Sequence, residues 1–181
     1  MKKNKIRLQK KRGKKIFLSS ITKKDLGTLF KWVNDDSLVT FSTWYRPVHW
    51  SEHLKWWQSI FKDKNTFVFG IRLIKSKKII GVCKLTGIHW TYRNAELRIK
   101  IGDTKYLSKG YGTEAIQLLL KYAWDNLNLE RVYCFVFEDN KRAIRAYAKA
   151  GFAIEGVMQK AAYINNIYKN IVIMGILRKN N

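Results

Sequence analysis

The chain has 181 residues, 46% of them apolar and 14% aromatic. That is enough material for one domain with a sizeable core, and it excludes a disordered polyelectrolyte. Net charge is +23, and residues 1–15 hold nine Lys/Arg and no acid, so polyanions are the expected partners, although part of the excess is solvated lysine. No apolar run approaches membrane-spanning length, and none follows the basic start to make a signal peptide. A cytoplasmic protein with no membrane partner is expected.

Residues 1–15 have too little apolar surface to pack, and are expected to form a disordered basic tail that contacts RNA non-specifically. The folded domain is expected over 16–181, starting with a strand at 16–20. Thr22 caps a helix with Asp25 at the capping-box position, and Leu26, Leu29, Phe30 and Val33 form its apolar stripe. Residues 34–37 stop that helix, and 38–50 are irregular and aromatic, with Phe41, Trp44, Tyr45, Trp50 and the only proline, Pro47. Ser51 then caps a second helix bearing Leu54, Trp57, Ile60 and Phe61.

Strands at 66–74 and 79–88 form a hairpin around the polar turn "KSKK". Residues 94–102 alternate at Ala95, Leu97, Ile99 and Ile101, and extend that sheet. A glycine turn leads into a helix over 110–126, with Ile116, Leu119, Leu120, Ala123 and Trp124 on one face. A buried strand at 131–137 and a helix at 140–151 ending on Gly151 follow, and strands at 152–158 and 168–177 close the chain. The fold class is α+β: a mostly antiparallel sheet flanked by helices and opened between the fourth and fifth strands, where a helix connects them. Cys83 and Cys134 lie in apolar runs with no zinc spacing and are expected as reduced core thiols.

The stretch "LSKGYGTEA" (107–115) starts a helix with its least helix-favouring residues. It is either a plain turn or a place where bare backbone N–H groups and a helix dipole meet a phosphate. A second strand-to-helix unit, "EDNKRAIRAYAKAGF", lies about thirty residues on. Gly110-Tyr111-Gly112 with Thr113-Glu114-Ala115, and Asn140, Ala143, Ile144, Tyr147 and Gly151-Phe152, together resemble the GNAT superfamily of acetyl-CoA-dependent N-acetyltransferases. The opening "ITKKDLGTLFKWVND" is similar to the branch of ribosomal-protein N-terminal acetyltransferases and spermidine acetyltransferases. "WSEHLKWW" (50–57) bears a faint similarity to acetyltransferases of nucleotide-linked amino sugars.

The resemblance implies direct transfer of acetyl from acetyl-CoA to a primary amine on a protein N-terminus, an amino sugar or a polyamine. It places the cofactor at Ile99, Ile101, Leu107, Ser108, Lys109, Gly110, Tyr111, Gly112, Thr113, Asn140, Ala143 and Tyr147. Lys105, Lys109, Lys141, Arg142 and Arg145 are candidate cations around the phosphates. The family usually has Gln or Arg where this chain has Leu107, so one side-chain contact is in question.

Tyr147 matches the tyrosine that protonates the departing thiolate, the alternative being a core tyrosine. Asn140 matches a pantetheine-binding residue and also suits a helix N-cap. Glu96 is the candidate general base, against a sheet-face carboxylate paired with a lysine; Glu138 and Glu155 are weaker candidates. Trp44, Tyr45 and Trp50 are candidate acceptor contacts, against a local hydrophobic cluster, and His53 on the second helix is another, against an amphipathic-face residue. His49 and His89 have no carboxylate partner by spacing, and no metal is expected. The cationic field disfavours a polycation and suits an anionic or ribosome-associated acceptor. From a different class, a non-catalytic RNA- or ribosome-binding protein that keeps the fold is the alternative. The sequence leaves the oligomeric state open.

Overall fold

A computed structural model of the chain describes residues 11–39 and 47–179. Strands β1 (Lys11–Arg12) and β2 (Ile16–Ser19) pair antiparallel, with Lys11 opposite Leu18 and Arg12 opposite Phe17. The sheet therefore begins inside the stretch assigned to a disordered tail, and residues 1–10 lie outside the described chain. Helix α1 (Leu26–Val33) follows a short turn of 3-10 helix. The Asp25 carboxylate accepts from the Thr22 N–H at 2.7 Å and the Thr22 hydroxyl at 2.8 Å, and also from the Arg72 guanidinium at 2.6 Å. The capping residue of the sequence pattern is thus also half of a buried ion pair.

Asn34 ends α1, and its side chain bridges to the main chain of Val48, accepting at 2.8 Å and donating at 3.1 Å. A short helix α2 (Asp36–Val39) lies within the segment expected to be irregular. Helix α3 (Trp50–Ser59) starts one residue before the expected Ser51 cap, because Glu52 reaches back to the His49 N–H at 3.1 Å.

Strands β3 (Phe67–Leu73), β4 (Ile79–His89) and β5 (Asn94–Ile101) form an antiparallel meander. Helix α4 (Tyr111–Leu127), β6 (Arg131–Phe137) and α5 (Lys141–Lys149) come next. The final hairpin, β7 (Ala153–Ile164) and β8 (Ile167–Leu177), is longer than the expected strands. Asn165 and Asn166 at its tip have φ of 51° and 61°, the left-handed pair that a two-residue hairpin turn requires.

The eight strands form one sheet in the order β1-β2-β3-β4-β5-β6-β8-β7. Successive residues Val68 and Phe69 belong to different hydrophobic clusters, as alternation along a strand demands. On one face α4 and α5 bury Ile116, Leu119, Ala123 and Tyr147 against Phe69, Leu85, Ala95 and Leu97. On the other, α1 and α3 cover Ile21, Val68 and Ile79 with Leu26, Leu29, Leu54 and Trp57. Phe61, expected on the apolar face of α3, lies beyond that helix and is exposed. Among the described residues no helix is long and apolar enough to cross a membrane.

Candidate active site

Strands β5 and β6 are parallel and pair only through Asn94–Arg131, Ala95–Val132 and Glu96–Tyr133. Beyond Glu96 they diverge, so the facing main-chain edges of Leu97–Ile101 and Cys134–Phe137 have no strand between them. A cleft of about 1530 Å³ opens along this fork, with the N-terminus of α4 at one wall and α5 at the other. The unpaired edge is the geometry that an extended, amide-bearing ligand completes.

Ser108 and Gly110 have φ of 57° and 85°, left-handed conformations that turn the loop tightly into the start of α4. Gly110 caps α4 and accepts the first intrahelical bond, from the Glu114 N–H at 3.0 Å. The N–H groups of Tyr111, Gly112 and Thr113 are left without intrahelical acceptors, at the positive end of a 17-residue helix. A Cβ at Gly110 would meet nothing within 4 Å, and one at Gly112 would meet only Ile101 at 4.0 Å. Protein packing alone does not demand glycine at 112. Open space in front of free N–H groups is what a pyrophosphate requires.

Of the expected cofactor residues, Ile99, Ile101, Leu107, Ser108, Gly110, Gly112, Thr113, Asn140, Ala143 and Tyr147 all line this cleft, as do Arg142 and Arg145. Lys109 and Tyr111 are outside the lining. Lys109 is exposed, and Tyr111 packs edge-on against Tyr106 with ring centroids 5.4 Å apart. Lys105 and Lys141 are exposed and also outside it. Asn140 serves as N-cap of α5, accepting from the Ala143 N–H at 3.1 Å through its carbonyl oxygen.

Tyr147 is both a packed side chain and a cleft residue. Its ring is 5% exposed and packs edge-on to Phe152 at 5.1 Å, yet it lines the cleft. Burial, the adjacent Cys134 thiol and the nearby Glu96 carboxylate raise its pKa well above the usual tyrosine value. The phenol is therefore protonated at neutral pH and can only donate or accept as an O–H. Burial likewise lifts Cys134 to about 12, against a smaller opposing contribution from Tyr147, and raises Cys83 further. Neither thiol is poised as a nucleophile.

Glu96 lines the cleft at the fork, but both its oxygens accept from Arg98, at 2.6 and 2.9 Å. The partner is an arginine, not the lysine considered from sequence. Each oxygen keeps a second lone-pair direction. Glu138 accepts from Asn170 at 2.9 Å and Glu155 is paired with Arg131; neither lines the cleft.

Trp50 and His53 do not line it either. His53 is 5% exposed among Phe30, Trp50 and Trp56, the last stacked at 5.2 Å, and burial lowers its pKa. This is a cluster joining α1 to α3. Trp44 and Tyr45 lie outside the described residues. His49 caps α3, and His89 stacks on Tyr92 at 3.9 Å.

Residues that sequence reasoning did not single out are Arg98 and Lys100, which follow Glu96 on one face of β5, and Gly13 and Lys14 from the β1–β2 turn. Lys84 lies opposite Arg98 on the neighbouring strand. Burial and Arg98 lower the Lys84 pKa, and Glu96 partly offsets them; burial lowers that of Lys100, against Asp35. The two-residue spacing from Glu96 was the available signal for Arg98 and Lys100.

Residues 15–153 match the model of the GNAT acetyltransferase domain. The chain is 36% identical over 98 residues to spermidine N(1)-acetyltransferase of Escherichia coli K12, covering 54% of this chain and 52% of that enzyme. It thus spans about half the length of the first curated relatives it matches. It is 26% identical over 136 residues to the acetyltransferase PseH of Campylobacter jejuni, covering 75% of this chain and 82% of that one. The crystal structure of Vibrio cholerae spermidine N-acetyltransferase in complex with CoA and spermine superposes with a TM-score of 0.84 at 25% identity, covering 90% of this chain and 95% of that one. A forked sheet, a glycine-started helix beside the fork and a family match over most of the chain agree: this protein belongs to the GNAT acetyltransferase family.

Proposed function

We propose that this chain transfers acetyl directly from acetyl-CoA to a primary amine, and that the acceptor carries a negatively charged group. The observation that carries the first part is the fork. It brings the N-terminus of α4, the unpaired edge of β5 and Tyr147 to a single cleft.

Acetyl-CoA, the donor used by this family, supplies a thioester whose carbonyl is open to attack. The first turn of α4 and the Gly110–Gly112 backbone hold its pyrophosphate, and the Asn140 amide and the β5 edge hold the pantetheine arm. Main-chain N–H groups on that edge also suit a developing oxyanion. Glu96 accepts the proton that the attacking ammonium must lose, directly or through water, while Arg98 fixes its orientation. Tyr147 donates its O–H to the departing thiolate. With both cysteines buried and protonated, attack by the amine itself is favoured over an acetyl-cysteine route.

The acceptor assignment rests on the other face of β5. Lys84, Arg98 and Lys100 share that face, and Glu96 (held by Arg98) and Asp35 (held by Ser37) partly offset them. Residues 1–10 and 40–46 contain no carboxylic side chain. A tricationic polyamine meets repulsion there, and a phosphate or carboxylate meets attraction.

The test is a panel of spermidine, a neutral amino sugar, its phosphorylated counterpart and a peptide N-terminus, scored by kcat/KM. The reading expects the phosphorylated amine to exceed the neutral one, with the advantage lost in Lys100→Met. Spermidine as the preferred acceptor would overturn the anionic assignment and leave the transfer chemistry standing.

A further inference from the structure

We propose that the basic turn between β1 and β2 is part of the acetyl-CoA site, with Lys14 and Lys15 acting on the CoA phosphates. This rests on reading the cleft as the acetyl-CoA site. The turn is built into the phosphate-facing end of α4. The N–H groups of Lys15 and Ile16 donate to Oε1 of Glu114, at 2.8 and 3.4 Å, and Glu114 lies in the first turn of that helix. The turn is fixed from the other side by the Gly13 N–H bond to the Ile16 carbonyl at 2.9 Å and by the β1–β2 pairing.

Gly13 allows the approach. A Cβ there would stand 2.2 Å from Glu114 Oε1 and displace the carboxylate that holds the turn. The consequence is positional: Gly13 and Lys14 line the cleft, and the Lys15 ammonium sits 5.7 Å from the ring of Tyr111, the first residue of α4.

Charge makes this placement consequential. Leu107 contributes no cation to the loop, and the Glu114 carboxylate beside it is itself anionic. Lys14 and Lys15 are exposed, neither forms an ion pair among the described residues, and no acidic side chain occurs in residues 1–10 or 40–46 to neutralise them. Two free ammonium groups at the mouth of a phosphate-binding helix terminus supply what Leu107 omits. Glu114 is thereby a positioning residue: it ties the turn to the helix through main-chain bonds, which survive replacement of the lysine side chains.

Calorimetry on the full chain at low salt tests this with three ligands: CoA, 3′-dephospho-CoA and pantetheine. Lys14→Gln/Lys15→Gln should weaken CoA about three- to tenfold, the range for exposed charge contacts, and flatten its salt dependence. Pantetheine binding and melting temperature should not change. Charge reversal, Lys14→Glu/Lys15→Glu, should weaken CoA further, whereas Lys62→Gln/Lys64→Gln should have no effect. A smaller penalty on dephospho-CoA assigns the lysines to the 3′-phosphate, and an equal one to the pyrophosphate. Wild-type CoA affinity in the folded double variants would overturn the proposal alone, as would equal weakening of pantetheine. Failure of the wild-type chain to bind CoA would overturn it together with the reading of the cleft.

Discussion

Replacing Tyr147 with Phe keeps the ring, and so its 5.1 Å edge contact with Phe152, and removes only the hydroxyl. A bond from that hydroxyl to a developing thiolate is worth about 1.5–3 kcal/mol, or roughly 10- to 150-fold in rate. Complete proton delivery in the transition state would be worth about 10²–10⁴-fold. Burial and Cys134 hold this phenol well above the usual tyrosine pKa, whereas a thiol ordinarily titrates near ~8.5. Full transfer is then uphill, so a fall in kcat of about 10- to 150-fold is expected. Acetyl-CoA affinity should be unchanged, and loss of the contact with Cys134 should lower the melting temperature by only a few degrees. The assay is kcat under conditions where the chemical step is limiting, with calorimetric affinity and a thermal melt on the same preparation. Unchanged kcat with a lowered melting temperature would make Tyr147 a core residue and refute the reasoning.

Gly112→Ala should raise thermal stability, since alanine favours a helix by roughly 0.5–1 kcal/mol and its Cβ meets only Ile101, yet weaken acetyl-CoA; Gly112→Val should cost about 1–3 kcal/mol of binding free energy. Calorimetry with a parallel melt separates the two effects. Glu96→Gln should lower kcat without lowering acetyl-CoA affinity, as steady-state kinetics beside calorimetry would show. Asp25→Ala removes the carboxylate partner of Arg72, which is 15% exposed and keeps its bond to the Ser19 hydroxyl at 2.8 Å, and should destabilise by about 1.5–3 kcal/mol in a denaturant titration. Burial alone would raise the Asp25 pKa, but the bonds from Arg72 and Thr22 prevail and lower it. Its stabilisation is accordingly present above the ordinary carboxylate range near ~3.9 and lost as pH falls through the lower folded value. Deleting residues 1–10 should leave the melting temperature unchanged, whereas deleting 1–15 removes β1 and the turn on Glu114 and should lower both stability and CoA affinity.

Apart from β1 and α2, the element order was legible because periodicity and the glycine-started helix are local signals, and the resemblance they carry implied the fork. Ala95, Leu97, Ile99 and Ile101 alternate, and Gly110-Tyr111-Gly112 interrupts an otherwise regular run. What the sequence hid is long-range. Glu114 lies about a hundred residues from the Lys15 N–H it accepts, so Lys14 and Lys15 were read as tail charges. Tertiary pairing, not composition, orders residues 11–15. For His53 the sequence leaves two readings, because an amphipathic helix shows which residues share a face, but not whether that face meets the cleft or another helix; here His53 packs among Phe30, Trp50 and Trp56. The extra length of β7 and β8 was written in Asn165-Asn166, whose tolerance of positive φ marks a turn that the strand pattern alone does not locate.

The central claim is direct acetyl transfer to an amine at the fork, and one measurement addresses it: a single-turnover mixing of the protein with stoichiometric acetyl-CoA and an excess of the best panel acceptor, quenched over time and read by mass spectrometry. The account predicts one acetylated amine and one free CoA thiol per active site, formed together, with no protein-bound acetyl at any time. Acetyl on Cys83 or Cys134 before product appears, or hydrolysis to free CoA and acetate with the amine untouched, would contradict it.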